Sequence, residues 1–345
     1  MGIIGRHSFE LCSRPRIISS ASYVGDKEGK GPLRECFDKI CRDDTLGLDS
    51  WEQAESRMFE SAVRVALAKI KRQSDDLSCL LGGDLLNQII SSGFAAREIR
   101  APFIGLYGAC STISEGLMLG GMLVDGGFAE LAACAASSHF SAAERQVRYP
   151  LEMGVQAVPS SQRTVTGAGS IIIQAAGEFR PGAGNVFEHV ALTGGTIGSV
   201  EDFGITDANN MGAAMAPAAF KTIKTHLSDY SRRVEDYDRI ITGDLGIFGS
   251  DMLYELLRGE GIEIADRHED CGKLMFSPEQ NVNCGASGCG CAATVMSSWF
   301  LPKIESGEIR RVLFLATGAL MSPVSSLQGE SIPSIAHAVV IEHID

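Results

Sequence analysis

The sequence predicts an α/β fold built from two duplicated halves, and three observations support this prediction. Residues 75–85 (DDLSCLLGGDL) are echoed 160 positions later by residues 235–245 (EDYDRIITGDL). A helical pattern of apolar residues precedes each copy, clearly over residues 51–70 and more weakly over residues 211–227. The predicted strands are continuously apolar, which is typical of sheets that are buried on both faces.

A second pair of landmarks follows in the same order. Residues 127–137 resemble residues 307–317, since each begins with glycine, continues through a charged turn and ends in an apolar strand. Upstream of each lies a small-residue elbow between strand and helix, at residues 108–112 and 285–294. The offset grows to about 180 here, which predicts an insertion of about 20 residues within residues 261–283.

Helix–loop–strand units recur in every α/β chain, but two matched landmarks in one order favour duplication. We therefore divide the chain into residues 1–180 and residues 181–345, two halves expected to pack across a pseudo-two-fold axis. Pockets in such sheets form at the carboxyl ends of strands, near helix N-termini.

Composition narrows the class of protein. The 345 residues include 45% hydrophobic and 21% charged residues, which is enough apolar material for a sizeable core. The formal net charge of -13 argues against a nucleic-acid-binding protein, which usually carries a basic face. It also argues against direct adhesion to an anionic membrane without a partner protein.

The sequence carries no sign of export or of membrane insertion. Charges in MGIIGRHSFELCSRPR occupy the place where the apolar region of a signal peptide would lie. The longest apolar stretch, residues 116–124, is far shorter than the roughly 20 residues that cross a bilayer. Ten cysteines without secretory signals are expected to be reduced thiols in an intracellular protein.

The first elbow, YGACST at residues 107–112, is the strongest candidate for a functional site. It closes an apolar strand and opens a small-residue helix, so Cys110 is expected at a helix N-terminus. Backbone amides and the helix dipole would there lower the pKa of the thiol. Cys110 is thus a candidate nucleophile, provided that the rest of the chain supplies its catalytic partners.

The duplicated halves with a cysteine elbow in the first copy resemble the thiolase and ketoacyl-synthase superfamily. Within it, the chain most resembles the stage V sporulation protein AD family. The motifs that carry this resemblance run through nearly the whole chain: GPLRECFD, GGDLLNQ, YGACST, LVDGGFA, MGAAMAPAA, TGDLG and GASGCGC.

The resemblance implies a thiolase-like, five-layer αβαβα fold made of two duplicated halves. It also implies an endospore-forming bacterium and binding of dipicolinic acid, with Ca²⁺ as a possible companion of the ligand. The protein would be intracellular, peripheral to the inner forespore membrane, and would act with membrane-embedded partners of the same sporulation complex. No nucleic-acid partner and no other cofactor are expected.

Condensing enzymes of this superfamily need histidine or asparagine partners for the cysteine. The repeat places one such partner near residues 242–245, where the sequence reads TGDL and contains no histidine. The second elbow also lacks the expected residue, and only His337 can be matched, loosely, to a partner. Cys110 is therefore interpreted as a vestigial nucleophile in the wall of a binding pocket. Residual acyl transfer and an inert core cysteine are the alternatives.

A flat dianion such as dipicolinate needs hydrogen-bond donors and cations. We expect the elbow residues Cys110, Ser111 and Thr112 to line its site, with charged residues at the pocket mouth. The remaining candidates are His139, Arg145, Arg148 and His337. His139 could instead be a satisfied core histidine, and the two arginines could form an ordinary solvated face.

Asp84 and Asp244 are related by the repeat, and each directly follows an apolar run. They could hold Ca²⁺ or orient pocket donors, whereas an Asp at this point more often caps the following helix. The histidine and cysteines of residues 268–291 lack the spacing of a zinc site, so no metal site is assigned.

A homodimer is possible, because thiolase-like proteins commonly pair through the sheet of the first half. The segment 128–137 is expected to extend that sheet across subunits. A structural adaptor of the membrane complex is a third hypothesis for function, beside a binding protein and an enzyme.

Overall fold

A computed structural model of the chain describes residues 2–147 and 158–345. The strands in these ranges are β1 Gly2–Ile4, β2 Ser8–Glu10, β3 Arg16–Val24, β4 Lys39–Ile40, β5 Cys79–Gly83, β6 Phe103–Gly105, β7 Leu131–Ser138, β8 Arg163–Thr164, β9 Gly167–Gln174, β10 Val190–Thr196, β11 Arg239–Thr242, β12 His268–Asp270, β13 Ala286–Ser287, β14 Arg311–Ala319 and β15 Ser334–His343. The α-helices are α1 Trp51–Lys69, α2 Ile90–Ile99, α3 Thr112–Asp125, α4 Phe140–Glu144, α5 Met211–Asp229, α6 Gly246–Arg258, α7 Cys271–Met275, α8 Cys289–Val295, α9 Leu301–Glu305 and α10 Pro323–Leu327.

The two helices predicted from apolar periodicity form at the expected places, as α1 and α5. Ser50 caps α1 by accepting a hydrogen bond from the backbone N–H of Gln53 at 3.3 Å. The helix then buries one apolar stripe, which includes Met58 and Phe59, against the strands beneath it. In α5, Asn210 is the cap and accepts from the N–H of Ala213.

The sheet repeats one strand order twice, which confirms the duplication. Its main path runs β12-β11-β14-β15-β10-β3-β9-β7-β5-β6. The first half contributes β6-β5-β7-β9-β3 and the second half β12-β11-β14-β15-β10. When the five strands of each half are numbered along the chain, both halves show the spatial order third, second, fourth, fifth and first. The two halves join where β10 pairs with β3 through Ala191 and Arg16.

Helices and sheets alternate in five layers. α1 and α2 cover the outer face of the first-half sheet, and α5 and α6 cover the outer face of the second-half sheet. α3 and α8 lie between the two sheets, within a core shared by both halves. The central layer is tight: a Cβ on Gly169 of β9 would lie 2.4 Å from the carbonyl oxygen of Ala293 in α8. Only glycine fits at that contact.

The expected insertion lies between β12 and α8 of the second half. There the chain adds α7 and β13, whereas the first half passes from β6 to the elbow in a few residues. β13 pairs in parallel with β8, a strand of the first half. The insertion therefore brings residues 163–164 of the first half beside the second elbow.

The segment predicted to extend the sheet across subunits is an interior strand, so that prediction is wrong. β7 pairs with β5 on one side and β9 on the other, which leaves its backbone no free edge. The edge of the first-half sheet is β6, whose Ile104 is 42% exposed. Among the described residues, no helix combines the length and the apolar character that crossing a bilayer would require.

Candidate functional site

The first elbow has the predicted strand-to-helix geometry. β6 ends at Gly105, a 3-10 turn spans Ala109–Ser111, and α3 begins at Thr112. Ala109 has a φ of 49°, a left-handed conformation that residues other than glycine rarely adopt. Strain of this kind persists only where the surrounding contacts enforce it, and it is frequent at functional sites.

The second elbow lies against the first. Gly288, with a φ of 100°, precedes α8, and a Cβ at this position would lie 2.8 Å from Oγ of Ser138. The thiol of Cys289 donates a hydrogen bond to the carbonyl oxygen of Ala109 at 2.9 Å. The repeat-related elbows of the two halves are therefore in direct contact.

Asp244 connects both elbows. Its carboxylate accepts hydrogen bonds from the backbone N–H of Gly288 at 2.8 Å and from the hydroxyl of Thr317 at 3.0 Å. The thiol of Cys110 lies near the same carboxyl group, and each of the two groups shifts the pKa of the other. The position at which the repeat predicts a catalytic partner is thus occupied by a carboxyl group in contact with Cys110.

This environment does not favour a thiolate. Burial raises the pKa of Cys110 well above its ordinary value, and the neighbouring Asp244 and Cys289 raise the pKa further. Burial likewise raises the pKa of Asp244 to about 7. The expectation that the elbow lowers the thiol pKa is wrong, because desolvation and a like charge outweigh the helix N-terminus.

The polar groups of Ser111 and Thr112 are used within the elbow itself. The hydroxyl of Ser111 donates to the carbonyl oxygen of Gly108 and that of Thr112 to the carbonyl oxygen of Ala109, each at 2.6 Å. Cys110 is 5% exposed. The role of Cys110, Ser111 and Thr112 in ligand binding stays a prediction. In this structure the two hydroxyl groups form hydrogen bonds within the turn.

Asp84, the repeat partner of Asp244, holds the start of α2 and lies near enough to the second elbow to raise the pKa of Cys289. Its carboxylate accepts from the N–H groups of Leu86 at 2.8 Å and Ser92 at 2.7 Å. The Ser92 hydroxyl adds a third bond at 2.6 Å. These bonds fit the capping alternative. The buried Glu55 lies near Asp84, and burial and that carboxylate together hold its pKa well above the ordinary value.

His139 is a buried cap of α4. Its Nδ1 accepts from the N–H of Ser141 at 3.2 Å, so Nε2 carries the proton and donates to the carbonyl oxygen of Asp44 at 2.8 Å. Burial lowers the pKa of this neutral ring. Both ring nitrogens are therefore engaged, as expected for a satisfied core histidine.

The remaining predicted residues are Arg145, Arg148 and His337. Arg145 is half-exposed, forms an ion pair with Glu52 and stacks over the ring of Trp51 at 5.4 Å. Arg148 lies outside the described residues. His337 lies on β15, where its Nδ1 accepts from the N–H of Gly198 at 3.2 Å and burial alone lowers its pKa to about 4.

Sequence reasoning missed Gln162 as a part of the site. Its amide nitrogen donates to the carbonyl oxygens of Asp244 at 2.6 Å and Ala286 at 2.8 Å, while its buried Oε1 has no partner among the described residues. No local pattern identifies this residue, because its role depends on the pairing of β8 with β13. Among the described residues, no three histidine, cysteine or acidic side chains converge in a way that could hold a metal ion.

The groups around Cys110 define what the site can do. Asp244, Cys289 and Gly288 are the described neighbours with the largest effects on the pKa of the thiol, and none of them is a histidine. With a pKa raised to about 7, the Asp244 carboxyl group is partly protonated near neutral pH. It is a poor base for that thiol, because thiolate formation would place two negative charges together in a buried space.

Three solved structures illustrate the fold that the chain shares with known proteins. The chain matches 3-oxoacyl-[acyl-carrier-protein] synthase III from Aquifex aeolicus with a TM-score of 0.58, at 11% identity, covering 95% of this chain and 100% of that one. An OleA variant from Xanthomonas campestris matches with a TM-score of 0.60 at 12% identity, covering 99% of each chain. Human mitochondrial 3-ketoacyl-CoA thiolase matches with a TM-score of 0.59 at 11% identity, covering 98% and 100%.

The duplicated αβαβα layers and the paired elbows define a protein of the thiolase-like fold class. The family model described as stage V sporulation protein AD matches residues 5–342. Stage V sporulation protein AD of Bacillus subtilis strain 168 is 43% identical over 343 residues, covering 99% of this chain and 98% of that protein. The chain therefore belongs to the stage V sporulation protein AD family.

The buried thiol leads to a prediction about alkylation of the native protein. We expect iodoacetamide at pH 7.5 to label Cys110 at least about 100-fold more slowly than Cys12, because only the thiolate reacts and Cys110 is buried and holds its proton. Peptide mass spectrometry over a time course measures both sites, and the exposed Cys12 is the internal control. Labelling of Cys110 before Cys12 would identify an activated thiolate and contradict this description.

Proposed function

We propose that the chain is a non-catalytic binding protein for dipicolinate, free or as its calcium salt, that serves uptake of this compound into the developing spore. The proposal that the protein is non-catalytic is supported by the position of Asp244 beside the Cys110 thiol, where each group raises or lowers the pKa of the other. The resemblance of the motifs to the sporulation family supports the ligand and the membrane-embedded partners of the proposal.

The chemistry of acyl transfer explains why the contact matters. A condensing enzyme must ionise its cysteine and then stabilise a developing oxyanion with preorganised donors. Here the nearest titratable group is a carboxyl whose own pKa is raised to about 7, so it opposes ionisation of the thiol. The Gly288 N–H, a natural oxyanion donor by its place at the elbow, donates to Asp244 instead.

A protonated Cys110 thiol and a Gly288 N–H that donates to Asp244 are both compatible with non-covalent binding of an anion. A binding protein keeps the rigid elbows and the layered core, but it needs no ionised thiol. Dipicolinate is a planar dianion, so its site requires cationic side chains and backbone donors rather than a nucleophile. Ca²⁺ would add charge that bridges the ligand to protein carboxylates.

Calorimetric titration with dipicolinate tests the proposal. We expect saturable binding by the wild-type protein, and a Cys110→Ala variant with an affinity within about threefold of it, because the buried thiol performs no covalent step. Pyridine-2,6-dimethanol, which lacks the carboxylates, is the matched control ligand and should not bind. Parallel titrations with and without Ca²⁺ measure whether the cation contributes.

Two results would overturn the proposal. The first is the absence of saturable binding by the wild-type protein at millimolar dipicolinate. The second is stable acylation of Cys110 after incubation with acyl-CoA donors, seen by intact mass and lost in Cys110→Ala, which would favour an acyl-transferring enzyme.

We also propose that the chain forms a homodimer through the free edge of β6. Among the described residues β6 pairs with β5 alone, and its outer side carries the exposed Ile104. Because a lysine on an edge strand disfavours pairing with a second strand, Ile104→Lys should shift a wild-type dimer to monomer. Mass photometry measures the species, with Lys39→Gln on β4 as a surface control. A dimer that survives Ile104→Lys would contradict pairing at this edge.

A further inference from the structure

The second half carries exposed apolar side chains at a distance along the chain from the central elbows. They lie on three segments, residues 200–210, residues 247–255 of α6, and residues 320–332, which include α10. Their exposed fractions run from 49% to 89%, and the residues are Val200, Phe203, Ile247, Phe248, Val324 and Leu327. Single exposed apolar residues are ordinary, but a group of this size on one surface indicates an interaction site.

Hydrogen bonds and a shared groove join the three segments. The hydroxyl of Ser331 donates to the carboxylate of Asp202 at 2.6 Å, and the N–H of Ile332 donates to the carbonyl oxygen of Ile205 at 2.7 Å. Ile205 in turn lines a groove of about 640 Å³ together with side chains of α6, including Phe248. The segments therefore form one surface, which we call the α6 face.

The α6 face is acidic, and its three segments contain no lysine or arginine. Its carboxyl side chains are Glu201, Asp202, Asp207, Asp251, Glu255 and Glu330. The chain has 30 basic residues, yet none falls within residues 181–220, 240–257 or 312–345. Arg258 reaches the end of the groove, where it pairs with Glu255 and Glu263. The face thus combines apolar surface with uncompensated negative charge.

The repeat-related groove of the first half has a different character. It lies between α1 and α2 and exposes Phe94 to 47%, much as the α6 groove exposes Phe248 to 49%. Arg57 and Arg97 line this first groove, and the guanidinium of Arg97 stacks over the ring of Phe94 at 4.9 Å. The duplicated scaffold alone therefore does not produce an acidic apolar face, which indicates a separate role for the second one.

The charge of the α6 face selects among its possible occupants. An anionic lipid surface would be repelled by carboxylates that no neighbouring lysine or arginine of these segments compensates. A second copy of the same face would bring like charges together. A helix with lysine or arginine beside a row of apolar residues matches both features, because its apolar side chains cover the exposed rings while its cations approach the carboxylates.

We propose that the α6 face binds a basic amphipathic helix of a partner protein. The apolar side of that helix would lie in the groove against Ile205 and Phe248, and its cations would approach Asp251, which lines the same groove. The inference rests on the proposed function for the need of a partner protein. It adds the surface that receives the partner and the chemistry of the segment that binds there.

Fluorescence anisotropy with labelled peptides tests the inference. The probe is a peptide of about 18 residues, or about five helical turns, with leucine on one side and lysine on the other. A leucine–glutamate peptide of the same pattern and a leucine–lysine peptide in scrambled order are the control probes. Flotation with phosphatidylglycerol vesicles tests a lipid occupant.

The variants Phe248→Gln and Asp251→Lys remove the exposed ring and reverse one charge of the groove. Phe94→Gln on α2 is the matched control for the ring, since Phe94 is exposed to a similar extent. Asp75→Lys, on the exposed turn before β5, is the matched control for the charge. Thermal unfolding of each variant verifies folding.

We expect saturable binding of the leucine–lysine peptide by the wild-type protein, and binding of the scrambled peptide that is at least about tenfold weaker. Phe248→Gln and Asp251→Lys should each weaken binding at least about fivefold, because an apolar or a charge contact is lost. Both control variants should stay within about twofold of wild type, and the leucine–glutamate peptide should not bind. Hydrogen–deuterium exchange should show protection of residues 247–255 in the complex.

Three results would overturn the inference. The first is the absence of peptide binding by the wild-type protein. The second is equal binding of the ordered and scrambled peptides, or equal loss in Phe248→Gln and Phe94→Gln, since either would reflect a general attraction to the acidic protein. The third is binding to phosphatidylglycerol vesicles that Phe248→Gln abolishes, which would assign the face to lipid.

Calorimetry with dipicolinate on the same proteins separates this inference from the proposed function. Lost peptide binding and unchanged dipicolinate binding in Phe248→Gln support the α6 face as a separate site. Peptide binding at the α6 face without dipicolinate binding by the wild type overturns the function and leaves the face standing. Dipicolinate binding without peptide binding overturns the face and leaves the function standing.

Discussion

The carboxyl group of Asp244 is the interaction on which the centre of the molecule depends. It follows β11 of the second half, accepts hydrogen bonds from Gly288 of the second elbow and Thr317 of β14, and lies near the thiol of Cys110 in the first elbow. The two central helices begin at these elbows and lie between the two sheets. One buried group therefore links the elbows of the two halves.

A carboxyl group in this place constrains function as well as structure. Its burial makes the protonated form favourable near neutral pH, and a protonated carboxyl beside a protonated thiol is a stable pair. Neither group can gain charge without cost to the other. The fold is shared with the three solved structures compared above at 11–12% identity, and that likeness shows the architecture alone. The local electrostatics disfavour an ionised thiol.

Much of the fold could be predicted from the sequence because its signals are local or repeated. The helices α1 and α5, the strands before Asp84 and Asp244 and the elbow at Cys110 all follow from apolar patterns and small residues. The predicted sheet extension failed because the apolar run of β7 reflects burial between β5 and β9. The prediction of a lowered pKa for the Cys110 thiol was wrong because a helix N-terminus can be predicted from the sequence, whereas desolvation and the approach of Asp244 cannot. Gln162 escaped notice because its contacts depend on the pairing of β8 with β13, a strand more than 120 residues away.

The most direct test of this account compares the unfolding of wild type and Asp244→Asn by urea at pH 5, 6, 7 and 8. The pKa of Asp244 is about 7 in the folded protein and roughly 3.9 in an unfolded chain, so its folded form holds the proton more tightly. Its contribution to stability is complete below pH 4 and is lost as the pH rises toward 7. The free energy of unfolding of wild type relative to Asp244→Asn should fall by about 1.4 kcal/mol per pH unit from pH 5 to 7, then level off. A difference that is constant across this range would contradict the buried, protonated carboxyl at the centre of the molecule.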